Sequence, residues 1–382
     1  MTADAAEALL ASALAEPDRD EPRLVLADLW QQQGDPRGEL IAVQCALAKA
    51  EQRSDEALRL RVREGELVRT HGGKWLRELG LAAGEGTFRR GLLESVTLGP
   101  GRIEALTSRL FEAGPLRELH IAGKLSPRDG QAVADLPRLP RELWFDNRAA
   151  EGIGDKGMQA LAQSEALRDV RLLGLRNNGV ADRGAKALAA CAHLAGLEGL
   201  DLDGNDLTAP GLKALAESDH LSNLRTLLMY RNTVGVAGAE ALAASASLRH
   251  LKRLRLYAAG IKDAGTRAIA GALTELEYLD LGKVPVEKAM PALAGLRELD
   301  KLEALQVGRL RQGPHRLRAG AAPEAARAPA DGQPDRSRGC PGAHRLDGPA
   351  GAREARAARP PLQPRDEART RGAVREGGRA SI

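Results

Sequence analysis

The residues of this chain that could carry out chemistry are few and widely spaced. Its three cysteines, Cys45, Cys191 and Cys340, form no CxxC pair and no even set, so neither a zinc site nor a disulfide framework is indicated. Its seven histidines include no HExxH sequence and have no evident partners for a catalytic triad. Cys191 lies in a predicted helix, and we interpret it as a core residue. We therefore predict a protein that is not an enzyme and that uses no cofactor or metal.

A GxGxxG motif at residues 152–157 has the form of a dinucleotide-binding fingerprint. A true fingerprint follows an apolar strand, and the residues immediately before this motif supply none. Ile153 and Gly157 also stand at the same places of a sequence repeat as Val180 and Gly184. We attribute the motif to that repeat rather than to nucleotide binding.

Three carboxylates near the N-terminus, Asp28, Asp35 and Glu39, are the best candidates for a metal site. No His or Cys at ligand spacing completes such a site. We interpret Asp35 as a turn residue, and we expect Asp28 to form an ion pair with Arg23 or Arg37.

The elements that must position any site come from a repeat. A phrase of the form L-x-x-L-x-L occurs nine times, and its clearest copies continue as x-x-N-x-L/V, then Gly, with a period of 27 residues. The alternating apolar places predict a short strand, and the spacing after the Gly predicts a helix. Such a period indicates a solenoid whose units share one core. The copies begin at Leu93, Leu116, Pro140, Val170, Leu197, Leu224, Leu251, Leu276 and Leu302.

This pattern resembles the leucine-rich repeat, in the long variant of the ribonuclease-inhibitor group. The resemblance implies an α/β solenoid of horseshoe shape, with a parallel sheet on the concave face and helices outside. It also implies that the Asn of each phrase turns inward and satisfies backbone groups. That Asn is absent at Ala259 and Val284, so we expect the later coils to be held less firmly.

Residues 1–50 have a different sequence pattern from the repeats and are expected to form a small helical domain. Helices are predicted over Ala5–Ala15 and Arg23–Gln33 and from about Glu39, separated by Pro- and Gly-containing turns. The string from Pro17 to Gln44 is similar to the bacterial repeat-companion domain, although Asp-Leu-Trp stands at 28–30 where that pattern has Asp-Trp-Leu. The resemblance implies association with repeats and no known activity.

Three further segments complete the predicted organisation. Residues 51–90, helical over Asp55–Arg69, are expected to cap the first coil, and residues 91–311 form the repeats. Residues 312–382 contain 14 Arg and 9 Pro but no aromatic residue, so we predict a disordered tail. The tail begins partway through a repeat, and its composition is that expected of a shifted reading frame in a GC-rich gene. Two explanations therefore remain: a genuine disordered tail, or a C-terminal end produced by a frameshift.

The tail also dominates the charge of the chain. It holds 14 of the 56 basic and 8 of the 52 acidic residues, which leaves 42 basic and 44 acidic residues in the rest. The part predicted to fold therefore offers no basic footprint for specific nucleic-acid binding. No leader pattern and no apolar run of about 18 residues is visible, so we expect a cytoplasmic protein that does not contact membranes.

The function that this pattern predicts is a non-catalytic scaffold that binds a protein partner on the concave face. The alternatives are an effector or enzyme with its chemistry elsewhere, and non-specific nucleic-acid binding by the tail. An uncapped last strand from Leu302 would also permit self-association. Exposed Tyr and Trp are typical binding anchors. The predicted contact residues are Trp144, Arg176, Asp201, Asp203, Leu228, Tyr230, Arg255, Tyr257, Tyr278 and Asp280.

Overall fold

A computed structural model describes residues 3–148, 151–283, 289, 291–293, 304–307 and 316–318. All of these lie in one compact unit, Met1–Ala322. The helices are α1 Ala3–Ala15, α2 Glu21–Gln32, α3 Pro36–Lys49, α4 Asp55–Leu67, α5 Gly73–Glu78, α6 Ile103–Ala113, α7 Pro127–Ala134, α8 Gly154–Leu161, α9 Asp182–Ala189, α10 Ala209–Ala216, α11 Gly235–Ala243 and α12 Lys262–Ala272. The strands are β1 Gly86–Arg89, β2 Leu92–Leu98, β3 Glu118–Gly123, β4 Glu142–Asn147, β5 Leu172–Gly174, β6 Gly199–Asp201, β7 Thr226–Leu228, β8 Arg253–Arg255, β9 Tyr278–Leu281, β10 Ala304–Val307 and β11 Arg316–Arg318.

The described strands form one sheet in chain order, and β2 to β10 are parallel. The register matches the repeat: Leu143 lies opposite Leu119 on one side and Leu173 on the other. The predicted alignment of the degenerate phrase at Pro140 is therefore confirmed. The antiparallel strands at the two ends, β1 and β11, were not predicted.

The core lies between the sheet and the helices that follow each strand. Inward-facing leucines of the strands, such as Leu200 and Leu227, are fully buried, and so are Leu188 and Leu242 of the helices. Buried residues from Leu76 to Leu293 belong to one hydrophobic cluster. This continuity agrees with the expectation that neighbouring units share one core.

The repeated Asn side chains connect successive coils. Asn205 accepts hydrogen bonds from the backbone N–H groups of Asn178 (3.1 Å) and Val180 (3.0 Å). Its amide donates to the carbonyls of Leu175 (2.8 Å) and Leu202 (2.9 Å). Asn178 and Asn232 make equivalent bonds in their own coils and are equally buried. The structural role predicted for these Asn residues is confirmed.

Three aspartates at the start of helices form a second set of bonds between coils, which sequence analysis missed; one of them, Asp263, accepts from the backbone N–H of Ala289 at 2.9 Å. Asp155 Oδ1 accepts from the backbone N–H groups of Ala181 and Gly184, both at 2.8 Å. Asp182, 27 residues later, accepts from the backbone N–H of Thr208 at 2.9 Å. The repeated spacing of these aspartates in the sequence was the signal from which the bonds could have been predicted.

Two of the three glycines of the GxGxxG motif, Gly152 and Gly157, are explained by close packing of neighbouring coils, and a Cβ on Gly152 would lie 2.5 Å from Asn178 Cα. Gly157 lies in α8 beside Gly130 of α7, and a Cβ on Gly130 would lie 2.6 Å from Gly157 Cα. Ile153 is fully buried, as Val180 is at the same place of the next coil. These contacts support the interpretation of the motif as part of the repeat.

The helices at the N-terminus pack directly on the first parallel strand. One buried cluster joins Leu26 of α2 and Ile41 of α3 to Leu92 of β2. Asp35 accepts from the backbone N–H of Arg37 at 2.9 Å at the start of α3 and also pairs with the Arg37 side chain. The turn role of Asp35 is therefore confirmed.

The ion pair predicted for Asp28 is wrong. Arg37 pairs with Asp35, which is closer along the chain, and Arg23 turns inward to the buried Glu94 of β2 at 2.8 Å. Asp28 is exposed on α2, and no described residue forms an ion pair with it. The error arose because Glu94 is far from Arg23 in the sequence.

The prediction of an open final strand is also wrong. Backbone atoms of β10 pair with β11, in which Arg316 lies opposite Gln306 and Arg318 opposite Ala304. Residues 316–318 thus form a strand within the segment predicted to be disordered. The other tail residues and position 284 lie outside the described residues, so the weaker hold on the later coils stays a prediction.

Candidate functional site

One face of the sheet is turned away from the helices, and we call it the open face. Three rows of side chains cross it, at the third, fifth and seventh places of each repeat. The fifth-place row runs Thr97, His120, Trp144, Gly174, Asp201, Leu228, Arg255 and Asp280. The seventh-place row contains Arg176, Asp203, Tyr230 and Tyr257, and Tyr278 stands in the third-place row. All ten predicted contact residues therefore occupy outward places.

The rings of Tyr230 and Tyr257 form the centre of the C-terminal half of this face. Their centroids are 5.0 Å apart, with a tilt of 41° between the ring planes. This separation is the one expected for side chains at equal places of adjacent strands, about 5 Å. Both tyrosines are half-buried, so part of each is accessible to solvent.

A cationic side chain lies over each tyrosine ring. Arg231 and Arg255 lie 5.5 and 5.6 Å from the centroid of Tyr230, and Lys283 lies 5.7 Å from that of Tyr257. Such contacts stabilise the cation and hold the ring in place. Arg253 lies over Tyr278 in the same way, at 5.1 Å. Sequence analysis missed Arg231, Arg253 and Lys283, although each stands at or near a tyrosine in the aligned repeats.

The acidic residues of the same region lie beneath the rings and cations. Asp203 is fully buried, and Asp201 and Asp280 are 8% and 3% exposed. Arg255 Nη1 bonds to Asp203 at 2.7 Å, and its Nε bonds to Asp280 at 3.3 Å. Leu228 is also buried.

The sequence predicted Asp201, Asp203, Leu228 and Asp280 as contact residues. Their side chains do point out of the sheet, but neighbouring side chains cover them. They are therefore not available for direct contact in this structure. Asp203 instead accepts from the backbone N–H of Tyr230 at 2.6 Å and so supports the ring above it.

Burial and, to a lesser extent, the nearby Asp203 carboxylate raise the pKa of Asp201 to about 7, although Arg176 and Arg255 oppose the shift. Burial also raises the pKa of Asp280. Burial penalises the charged form of a carboxyl group. The charge of the buried layer beneath the tyrosine rings should therefore change with pH near neutrality.

Replacing Asp201 with Asn should make the fold more stable at pH 8, on the order of 2 kcal/mol, because the buried charge is removed. The folded pKa of Asp201 lies above that of an unfolded aspartate. The stability that the protonated Asp201 carboxyl group contributes is therefore fully present below about pH 4 and is lost as the pH rises through about 7. Urea denaturation of the wild type and Asp201→Asn at pH 5 and pH 8 measures this difference.

The variant should show a smaller loss of stability between the two pH values than the wild type does. Asp206→Asn, at an exposed aspartate of the same coil, is the matched control and should follow the wild type. An equal pH dependence in Asp201→Asn and wild type would contradict the prediction.

Trp144 stands apart from the tyrosine pair. It stacks on His120 with centroids 5.9 Å apart and 9° between the planes, and His120 Nδ1 is hydrogen-bonded to Asp146 at 2.8 Å. The strand of Trp144, β4, is three strand spacings from β7, which is about 14 Å. The structure therefore does not join Trp144 and the tyrosines into one patch.

Two glycines make room for aromatic rings on this face. The ring of Trp144 lies across Gly174, and the ring of Tyr257 lies across Gly282. A Cβ at either glycine would clash with the ring above it. The rings therefore lie low against the sheet.

The described residues hold no cluster of His, Cys, Asp or Glu that could bind a metal ion. Cys191 belongs to the core, as predicted, and burial raises its pKa. Burial also raises the pKa of Cys45, to about 11, which disfavours a reactive thiolate. In the part of the chain that the structure describes, no helix has the length and apolar character that a membrane span requires.

Comparison with known protein families identifies the repeat. Residues 197–216, which include β6 and α10, match the family model described as Leucine Rich repeat. The chain contains leucine-rich repeats. The match covers one of the clearest copies of the phrase, and the in-register strands on both sides extend the same leucine-rich-repeat pattern. The comparison with curated proteins gave no match.

Two solved structures align with part of this chain. A TLR13–ssRNA13 complex matches 57% of this chain with 20% identity and a TM-score of 0.35, and this chain spans 34% of that one. An internalin (inlF) from Listeria monocytogenes matches 53% of this chain with 19% identity and a TM-score of 0.27. The match covers 70% of the internalin chain.

Proposed function

We propose that this protein is a non-catalytic scaffold that binds a partner protein through the open face of its leucine-rich repeats, which is the concave side of the predicted horseshoe. Leucine-rich repeats commonly mediate interactions with proteins or other ligands, and nothing in the described residues points to catalysis. The proposal rests chiefly on the paired rings of Tyr230 and Tyr257.

The tyrosine pair has the character of a binding anchor. Tyr, Trp and Arg are enriched at the centres of protein interfaces, where they contribute most of the binding energy. Here the paired rings of Tyr230 and Tyr257 lie on neighbouring coils, and Arg231 and Arg255 both lie over Tyr230. Of the ten residues predicted from the sequence, we retain Tyr230, Tyr257, Tyr278, Arg176 and Arg255 as contact residues and assign the buried acids a supporting role.

Replacing both tyrosines with Ala should weaken partner binding at least about 30-fold, since truncating one such anchor typically costs about 2 kcal/mol. The fold should be retained, because the inward leucines beneath, Leu227 and Leu254, are unchanged. The wild type and Tyr230→Ala/Tyr257→Ala are each immobilised as full chains, and the partner proteins that they retain are compared. A retained partner is then produced recombinantly, and its affinity for both proteins is measured by calorimetry.

The matched control is Trp144→Ala, which removes an aromatic side chain from the distant end of the same face. It should bind the partner like the wild type, and all three proteins should have the same melting temperature. If the double variant keeps its partner while Asp28→Ala or Arg37→Ala loses it, the N-terminal helices are the recognition element and the proposal is wrong.

A further inference from the structure

On the open face, the acidic side chains are buried and most of the basic side chains are accessible. Around Tyr230 and Tyr257 the acids Asp201, Asp203 and Asp280 are buried, and Arg255 is held between two of them. The composition of this region is mixed in charge, but its accessible layer is not. A partner meets cations and tyrosine edges, because the carboxylates lie below.

The accessible cations are available for new ion pairs. Arg176, Arg231 and Lys283 are exposed, and Arg253 is half-buried. Within the described part of the chain, no carboxylate forms an ion pair with any of these four side chains. Arg176 and Lys283 belong to coils four strand spacings apart, a span of about 19 Å that about six extended residues would cover.

The tyrosine rings favour a peptide over a nucleic acid as the occupant. Single-stranded nucleic acids bind such surfaces by stacking their bases on open aromatic faces. Here Tyr230 contacts Tyr257 and the cations Arg231 and Arg255, and Lys283 lies over Tyr257. Each ring thus already has aromatic and cationic neighbours within the protein, which leaves less open ring face for a base, whereas Arg231 and Lys283 remain able to bind carboxylates.

From this arrangement we propose that the open face around Tyr230 and Tyr257 binds an acidic segment of a partner protein. Carboxylates spaced along roughly six residues pair with the accessible cations Arg176, Arg231 and Lys283, and the segment packs against the exposed parts of the two tyrosines. Charge-assisted hydrogen bonds between Arg and carboxylate are both strong and directional. This inference rests on the proposed function and adds the chemistry of the partner.

The test selects ligands from random sequences, so the partner itself does not have to be identified first. A library of random 12-residue peptides is displayed on phage and selected on the full chain, with counter-selection on Tyr230→Ala/Tyr257→Ala. Peptides that depend on the tyrosines should be enriched several-fold in Asp and Glu relative to Lys and Arg. A synthetic copy of the leading peptide should lose at least tenfold in affinity when its acids become Asn and Gln, as measured by fluorescence anisotropy.

Charge reversal on the protein gives the reciprocal test. Arg231→Glu/Lys283→Glu should abolish binding of the acidic peptide, while Lys186→Glu/Lys213→Glu, with the same charge change on helices α9 and α10, should bind it like the wild type. Thermal denaturation verifies that both variants fold. Binding should also weaken with added salt.

Two results overturn the inference in distinguishable ways. Tyrosine-dependent peptides that are neutral or basic, or a 12-nucleotide oligouridine probe that binds the tyrosine pair more tightly than any acidic peptide, refute the acidic partner but leave binding at this face intact. Absence of any tyrosine-dependent peptide contradicts the proposed function as well.

Discussion

Replacing Arg23 with Met should lower the free energy of unfolding by about 3 kcal/mol, since the buried Glu94 carboxylate loses its shortest ion pair and keeps only the longer ones to Arg117 (3.5 Å) and Arg90 (3.9 Å). Arg23 is fully buried, and its Nη2 donates to Glu94 Oε1 (2.8 Å) and to the carbonyl of Pro17 (2.9 Å). Its Nη1 donates to the carbonyl of Arg90 at 3.2 Å. One side chain thus connects α2 to the turn before it and to β2.

Urea denaturation followed by tryptophan fluorescence measures this loss, because Trp30 lies in the same helix as Arg23 and is buried. Arg23→Met/Glu94→Gln should recover part of the stability, since it removes a buried charge that keeps only its longer ion pairs to Arg90 and Arg117. Arg19→Met is the control: Arg19 pairs with Glu16 at the exposed end of α1, and its loss should leave the denaturation midpoint unchanged. Equal midpoints for Arg23→Met and Arg19→Met would contradict the prediction.

Replacing Asn205 with Ala should cost a similar amount, about 3–5 kcal/mol. It leaves the buried N–H groups of Asn178 and Val180 and the carbonyl of Leu175 without partners, at about 1–3 kcal/mol for each unsatisfied group. In a solenoid each coil is stabilised mainly by its neighbours. Hydrogen exchange should therefore accelerate most in β5, β6 and the loops that follow them.

Asn223 provides the matched control for this substitution. It also connects two coils, through a 2.7 Å bond from its amide to the carbonyl of Ala195, but it is exposed and water can replace that bond. Asn223→Ala should therefore change stability by less than about 1 kcal/mol. A cost for Asn205→Ala no larger than that for Asn223→Ala would mean that the buried Asn residues do not hold the coils together.

The periodic part of the fold could be predicted because the repeat itself defines spatial neighbours. Residues 27 positions apart lie side by side, so the register of Leu173 and Leu200 and the inward turn of Asn178 and Asn205 follow from the spacing. The pairing of Tyr230 with Tyr257 follows in the same way.

The contacts that break this period could not be predicted. Arg23 and Glu94 are 71 positions apart and belong to no common pattern. Strands β1 and β11 carry no L-x-x-L-x-L phrase, and they pair antiparallel to the array. The period also gave the direction of the Asp201 side chain but not its depth, which depends on how neighbouring side chains fold over it.

The glycines beneath the aromatic rings have a consequence for the thermodynamics of recognition. Because Gly174 and Gly282 have no Cβ, the rings of Trp144 and Tyr257 rest against the backbone of the next strand, and Lys283 holds the Tyr257 ring from above. Side chains ordered in this way lose little rotamer entropy when a ligand arrives, whereas a mobile side chain loses about 0.5–1.5 kcal/mol. The open face is in this sense preorganised: Ala at Gly282 would displace the Tyr257 ring and weaken binding, although no contact residue is itself replaced.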